Sequence, residues 1–380
     1  MYAQIKFDRE RVAQARDLRR RWYDNEKIER TPFVYTAGPA KTKSYWRPGN
    51  PYTISEMIAD SSKAVEAAIL MNQYHFDTFP DCDYLPVMSL GYLGEGILPA
   101  MYGAKQYITE KNPPFTEGRL FKDIYEAQKL SNDLDFEDTE WGKILKEHIT
   151  RFIDATKGEI PVAVADHQSP YGLATKLVPN EELMYAMYDA PELVHNFLDV
   201  ITDGIIKLVE TMERWIGPEN LAMNPNNPIP GKGGIIIWDD FISVLNPAQH
   251  IEFCVPCNKK LFKRFGRGHL HTCGPYFPGF INACIACEPR SMDVSIMRGM
   301  GKTREDLIGF LHITKEKNIR LFGKLAINDS SIFEKGTHKE ADYELLSMFV
   351  KNGYLPVNEG RYEDGIKFKE TVARIDLEPN

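Results

Sequence analysis

Gly234-Ile235-Ile236-Ile237-Trp238-Asp239-Asp240 and Gly268-His269-Leu270-His271-Thr272-Cys273-Gly274 flank a helical stretch over residues 247–265. Together they read as one strand–helix–strand unit. The outer runs are short, bounded by glycine and rich in β-branched or aromatic residues, whereas the middle repeats its apolar positions at helical spacing. Each strand is largely apolar until its last residues and then closes on carboxylate, imidazole or thiol.

The same alternation extends in both directions. Strands are expected at 32–37, 76–80, 161–168, 234–240, 268–274, 291–296, 319–327 and 354–359, with helices at 53–72, 180–215, 247–265, 303–317 and 339–352. Strands that alternate with helices build a parallel sheet, and eight such units predict an α/β fold closed as a (β/α)8 TIM barrel. The barrel is expected as a single domain over residues 1–380, with residues 1–30 as an N-terminal helical extension. In it, a charged helix over 7–30 stops at Thr31-Pro32. Two inserts, 84–120 and 217–232, are expected as loops over the catalytic mouth.

Composition narrows the function classes. Forty-six basic against 54 acidic residues give a net charge of −8, which repels phosphate backbones and argues against nucleic-acid binding. The basic residues Lys259, Lys260, Lys263, Arg264 and Arg267 recur at helical spacing and read as a solvated helix face. No apolar run approaches the ~20 residues that span a bilayer. The first residues lack the apolar core of a signal peptide, so a cytoplasmic protein with reduced thiols is expected.

In a barrel of this kind the active site lies at the C-terminal ends of the strands. The polar residues there are Asp166-His167-Gln168, Asp239-Asp240, His269 with His271 and Cys273, Asn328-Asp329 and Asn358-Glu359. His271 and Cys273, at i and i+2, point to one side of a strand end and can grip one borderline-soft ion such as zinc. The spacing alone also fits a polar strand end without metal. Cys254-x-x-Cys257 and Cys284-x-x-Cys287 imitate a four-thiolate pattern, but their flanks are apolar and read as buried core. His269 fits a ligand, a pocket donor or a strand residue satisfied internally. His167 fits an acid or a substrate clamp. No phosphate loop, serine elbow or dinucleotide fingerprint is present.

These residues carry a likeness. Asp166-His167-Gln168-Ser169-Pro170-Tyr171-Gly172-Leu173-Ala174, residues 236–240 with Asn246-Pro247, His271-Thr272-Cys273-Gly274, Gly323-Lys324-Leu325 and the stretch 353–360 resemble landmarks of the uroporphyrinogen decarboxylase superfamily. The resemblance covers about residues 155–370. It is to the zinc- and cobamide-dependent methyltransferase branch, whose His-x-Cys-Gly binds metal. It implies zinc on His271 and Cys273.

Two departures refine that expectation. Residues 34–39 contain no arginine, where the decarboxylases carry an arginine-rich motif for substrate carboxylates, so a decarboxylase is the weaker alternative. The thiol-methylating members add a cysteine after the last strand, whereas this chain has none beyond Cys287. A carboxylate then takes the third place, Glu359 first, with Asp240 or Asp239 next. Exchanging thiolate for carboxylate leaves a harder, more electrophilic zinc, suited to an ether oxygen.

The resemblance therefore implies methyltransferase I of O-demethylase type. A small-molecule donor, expected as an aryl methyl ether, gives its methyl group to the cob(I)alamin of a separate corrinoid protein, since this chain lacks Asp-x-His-x-x-Gly. Transfer from a methylcorrinoid to a coenzyme M-type thiol is the other alternative. His167, Gln168 and Asp240 are the expected catalytic residues. Tyr35, His167, Gln168, Asp239 and His269 are the expected substrate contacts. A homodimer is compatible with the sequence.

Overall fold

The computed structural model describes residues 5–36, 50–79, 81–231, 234–272, 278–295, 304–327, 340–352, 355–360 and 362–377. Its strands are β1 (Val34–Thr36), β2 (Gln106–Tyr107), β3 (Phe115–Thr116), β4 (Val162–Ala163), β5 (Leu221–Ala222), β6 (Ile236–Trp238), β7 (His269–His271), β8 (Ser291–Ser295), β9 (Arg320–Ile327) and β10 (Leu355–Gly360). Six of them form one parallel sheet in the order β1-β10-β9-β8-β7-β6, β4 pairs with β5 in parallel, and β2 and β3 make a small antiparallel hairpin.

The expected closed barrel is thus met only in part. The α/β alternation and parallel pairing are there, but the ladder is an open arc with a separate pair. Single bonds span the gaps: Ile236 N–H donates to the Met223 carbonyl at 3.0 Å, Ser169 N–H to the Trp238 carbonyl at 2.8 Å and Asp83 N–H to the Phe33 carbonyl at 3.0 Å. Met88 bridges Val162. Strands of two residues, such as β4 and β5, are too short to carry a continuous ladder.

Helices lie between the strands, and several start where the sequence supplies a cap. Ser169 accepts from Gly172 N–H ahead of Pro170–Leu177, and Asn246 accepts from Gln249 N–H ahead of Pro247–Gln249. The stretch 247–265 is helical throughout the described backbone but contains one π turn, His250–Cys254. The expected helix over 180–215 is two, Asn180–Asp189 and Pro191–Ile216. Pro191 drives Ala190 out of the helical region, to φ −148°.

The strand expected at 76–80 is instead the end of the helix Ser61–Thr78, whose buried stripe runs on through His75 and Phe76. The N-terminal helix is shorter than expected, Arg9–Tyr23, because Asn25 turns left-handed at φ 60°. The chain then folds back, with Arg20 on Glu26 at 2.7 Å and Arg21 on Glu29 at 2.8 Å.

That helix covers the N-terminal ends of the strands. Trp22 sets its ring edge-on to Phe322 of β9 at 5.1 Å, and Tyr23 reaches Ser291, the first residue of β8. The insert 217–232 joins it there rather than over the catalytic mouth. Ile229 packs with Val12, Ala15, Phe76 and Leu85, and the buried Arg19 donates to the Asn226 carbonyl at 2.5 Å. Among the described residues no helix is long and apolar enough to cross a membrane.

Candidate metal and methyl-transfer site

The turn after β4 is set by its own side chains. Asp166 accepts from Gln168 N–H at 3.1 Å, which holds Gln168 in the left-handed region at φ 53°. Gly172 lets the turn pack closely beside it: a Cβ there would stand 3.0 Å from Gln168 Oε1 and 3.3 Å from Ser169 Oγ. Strain of this kind, held by surrounding bonds, gathers at functional sites. His167 is wholly enclosed, with Nδ1 2.8 Å from the Gln168 carbonyl and its ring edge against Trp238 at 5.2 Å.

The protonation states of these neighbours differ from the sequence expectation. Burial pulls His167 down to about 4, so it is neutral at pH 7 and has no imidazolium proton to give as an acid. Burial first, and the Glu95 carboxylate second, push Asp166 up to about 7. Asp166 also responds electrostatically to His271 and Asp240, which places the three strand ends within one field. Glu95 belongs to the insert 84–120 and forms an ion pair with Lys176.

The two adjacent aspartates part company. Asp239 is wholly buried. Ser169 Oγ donates to it at 3.1 Å and Asn258 Nδ2 at 2.8 Å, and His250 Nε2 stands at 3.0 Å. Burial alone would raise its carboxyl; His250, Asn258 and Ser169 outweigh that and hold it below the usual carboxylate range. Expected as a substrate contact, Asp239 instead ties the β4 turn, the end of β6 and the π turn together. Asp240 is the half-exposed one, and its Oδ1 lies 3.7 Å from His271 Nε2.

His271 is turned toward Asp240 by a residue that sequence reasoning missed. Asp293 of β8 takes His271 Nδ1 on one oxygen and His269 Nε2 on the other, the latter at 2.7 Å. An imidazole held at Nδ1 by a buried carboxylate presents Nε2 outward, the arrangement common to metal-bound histidines. His269 itself is wholly buried between Asp293 and Ser291 and so does not line the mouth as the sequence suggested. Asp293 was legible only as the inward position two residues after Ser291, which pairs with His269 in register.

Two described side chains, His271 and Asp240, stand at the spacing of two metal donors. At 3.7 Å, His271 Nε2 and Asp240 Oδ1 are too far apart for a hydrogen bond. Two donors of a tetrahedral zinc with bonds of about 2.1 Å stand about 3.4 Å apart, within a few tenths of an ångström of that separation. Among the described residues no group of three His, Cys, Asp or Glu side chains gathers to hold a metal. The expected ligand Cys273 lies outside the described residues. Tyr35 and Glu359 are described by their backbone: Tyr35 pairs in register with Asn358, and Glu359 with Thr36 and Ala326. The described thiols of Cys82, Cys254, Cys257, Cys284 and Cys287 are buried and unbridged, and burial raises those of Cys254 and Cys284 well above the usual range.

Parallel strands with their carboxylates and imidazole gathered at the C-terminal ends define an α/β enzyme class, and here the class has a family. The chain belongs to the uroporphyrinogen decarboxylase family, whose sequence model, "Uroporphyrinogen decarboxylase (URO-D)", matches residues 15–213. That match includes the N-terminal part that carried no motif likeness. The fold is similar to that of a methyltransferase from Methanosarcina mazei, with a TM-score of 0.63 and 15% identity over 94% of this chain and 97% of that one. No curated protein matches the sequence significantly.

Proposed function

We propose that this chain is a zinc-dependent methyltransferase that passes a methyl group from a small aryl methyl ether to the cob(I)alamin of a separate corrinoid protein. The observation that carries the reading is the pairing of His271 Nε2 with Asp240 Oδ1 at 3.7 Å, with the imidazole turned by Asp293. The family and the fold likeness to a methyltransferase support it. The absence of arginine from residues 34–39 weighs against decarboxylation of a polycarboxylate.

His271, Asp240 and Cys273 would hold the ion, which when bound supplies Lewis acidity toward an ether oxygen. Asp240 is preferred to Glu359 because it follows β6, the neighbour of β7. Glu359 stands three strand positions away in β10, about 14 Å along the sheet. Asp166, pushed up to about 7, is about half protonated at neutral pH. As the C–O bond breaks and its electron pair stays on oxygen, that proton can pass to the leaving phenolate. Trp238, its ring on His167, gives the site an apolar wall.

The test mixes the zinc-loaded chain with reduced corrinoid protein and a guaiacol-type ether. Loss of the cob(I)alamin absorbance matched by release of demethylated phenol is the expected result. Methylation of an added thiol from the methylated corrinoid protein, with no phenol released from any ether in a donor panel, would reassign the direction of transfer.

A further inference from the structure

We propose that His269, Ser291 and Tyr23 are positioning residues for His271, joined to it by a run of hydrogen bonds that begins on the N-terminal helix and ends on Asp293. The proposal rests on the reading of His271 as a metal ligand. The run climbs from the N-terminal ends of the strands to the mouth. Tyr23 Oη lies 3.2 Å from Ser291 Oγ, Ser291 Oγ lies 2.9 Å from His269 Nδ1, and His269 Nε2 lies 2.7 Å from Asp293 Oδ1. The other Asp293 oxygen meets His271 Nδ1.

The chemistry of the groups sets the direction. Where Asp293 only accepts, each imidazole carries a proton on the nitrogen that faces it. With that single proton on His269 Nε2, Nδ1 offers a lone pair and Ser291 donates to it. Ser291, having spent its proton, accepts from the Tyr23 hydroxyl. Burial pushes that phenol up to about 12, so it remains a donor throughout the working range. The opposite tautomer of His269 would set a bare nitrogen against a carboxylate oxygen at 2.7 Å, acceptor against acceptor. His271, protonated at Nδ1, presents its Nε2 lone pair on the side of Asp240.

Packing fixes the ring planes as well. Phe322 meets the His269 ring edge-on at 4.9 Å, and Trp22 meets Phe322 in turn. Two consecutive residues of the N-terminal helix, Trp22 and Tyr23, therefore act on the base of this run, one by contact and one by a proton. Exchanging a partner of a metal-bound histidine commonly costs about 10- to 100-fold in metal affinity.

The experiment uses the full chain with 15N-labelled histidine, first treated with chelator. Long-range proton–nitrogen correlation should show a proton on His271 Nδ1 and one on His269 Nε2. Zinc affinity is then read by competition with a chromophoric chelator. His269→Phe, which keeps a ring but neither bond, should lower affinity by about 10-fold or more. His269→Gln, which can still donate to Asp293, should recover most of the loss. Tyr23→Phe should shift the His269 Nδ1 resonance at an unchanged unfolding midpoint.

A His271 proton on Nε2 in the parent chain would overturn the proposal. So would a His269→Phe chain with unaltered His271 tautomer and zinc affinity. Should His269→Phe fail to fold, Ser291→Ala with the same two readouts decides. A parent chain that shows the stated tautomers yet takes up no zinc would sink the methyl-transfer reading and leave the proton order standing.

Discussion

Replacing Asp166 by Asn tests the electrostatics of the candidate site without needing a substrate. The carboxyl ordinarily titrates at 3.8 and is pushed up to about 7 in the folded chain, first by burial and then by Glu95. The unfolded chain gives up this proton as pH passes 3.8, while the folded chain keeps it until about 7. Stability from this group is therefore complete at low pH and is lost as pH rises through that window. The whole shift corresponds to about 4 kcal/mol, of which about half is felt between about pH 5.5 and about pH 8. Solvent at this partly buried carboxyl screens the effect, leaving about 1 to 2 kcal/mol. The amide of the Asp166→Asn variant does not titrate and keeps an oxygen for the Gln168 N–H, so the turn should survive. Urea unfolding of chelator-treated parent and variant at the two pH values measures the difference. The parent should fall relative to Asp166→Asn by that amount on going to the higher pH. A difference that stays flat, or runs the other way, would refute the assignment of a raised carboxyl at this position.

Other outcomes follow from the site as built. The purified chain should bind about one zinc ion, and Cys273→Ala should remove most of it, whereas Cys254→Ala and Cys284→Ala should not; metal analysis of the three variants checks this. Asp240→Ala should weaken zinc by about 10-fold or more in chelator competition and Glu359→Ala much less, and the reverse order would hand the third place back to Glu359. Purified alone, the chain should be colourless and show no methyl transfer until a corrinoid protein is added; stoichiometric cobalamin on this chain would contradict that division of roles. Trp22→Ala, emptying a fully buried indole site under β9, should destabilise by about 3 to 5 kcal/mol in equilibrium unfolding.

The strands that were legible in sequence are short runs set off from the neighbouring helical stretches by glycine, proline or polar residues. β6 through β10 and β1 all fall inside their expected stretches or within a residue of them. Where one run suited both periods, the longer helix won: Phe76 continues the buried stripe begun at Ser61. His271 and Asp240 could be named from the sequence because they end strands. The supporting Asp293 could not, since it became informative only when register set it beside two imidazoles, and the raised carboxyl of Asp166, itself a strand-end residue, comes from burial that no sequence pattern displays. The placement of the insert 217–232 was equally hidden, because its direction depends on Ile229 finding the N-terminal helix, a contact between residues more than 200 positions apart in the chain.

That helix has a consequence for how the chain is made. Arg9–Tyr23 is made well before several of its partners: Glu159 for Arg9, the Asn226 carbonyl for Arg19, Ser291 for Tyr23 and Phe322 for Trp22. At about 5 to 20 residues per second, roughly 15 to 60 s separate its synthesis from that of its last partner. Phe76 and Leu85 can cover Val12 and Ala15 early in that interval, whereas Trp22 waits for Phe322 of β9. The Trp22 end of the helix can therefore complete its packing only after β9 has been made, and protection of Trp22 from solvent reports that contact.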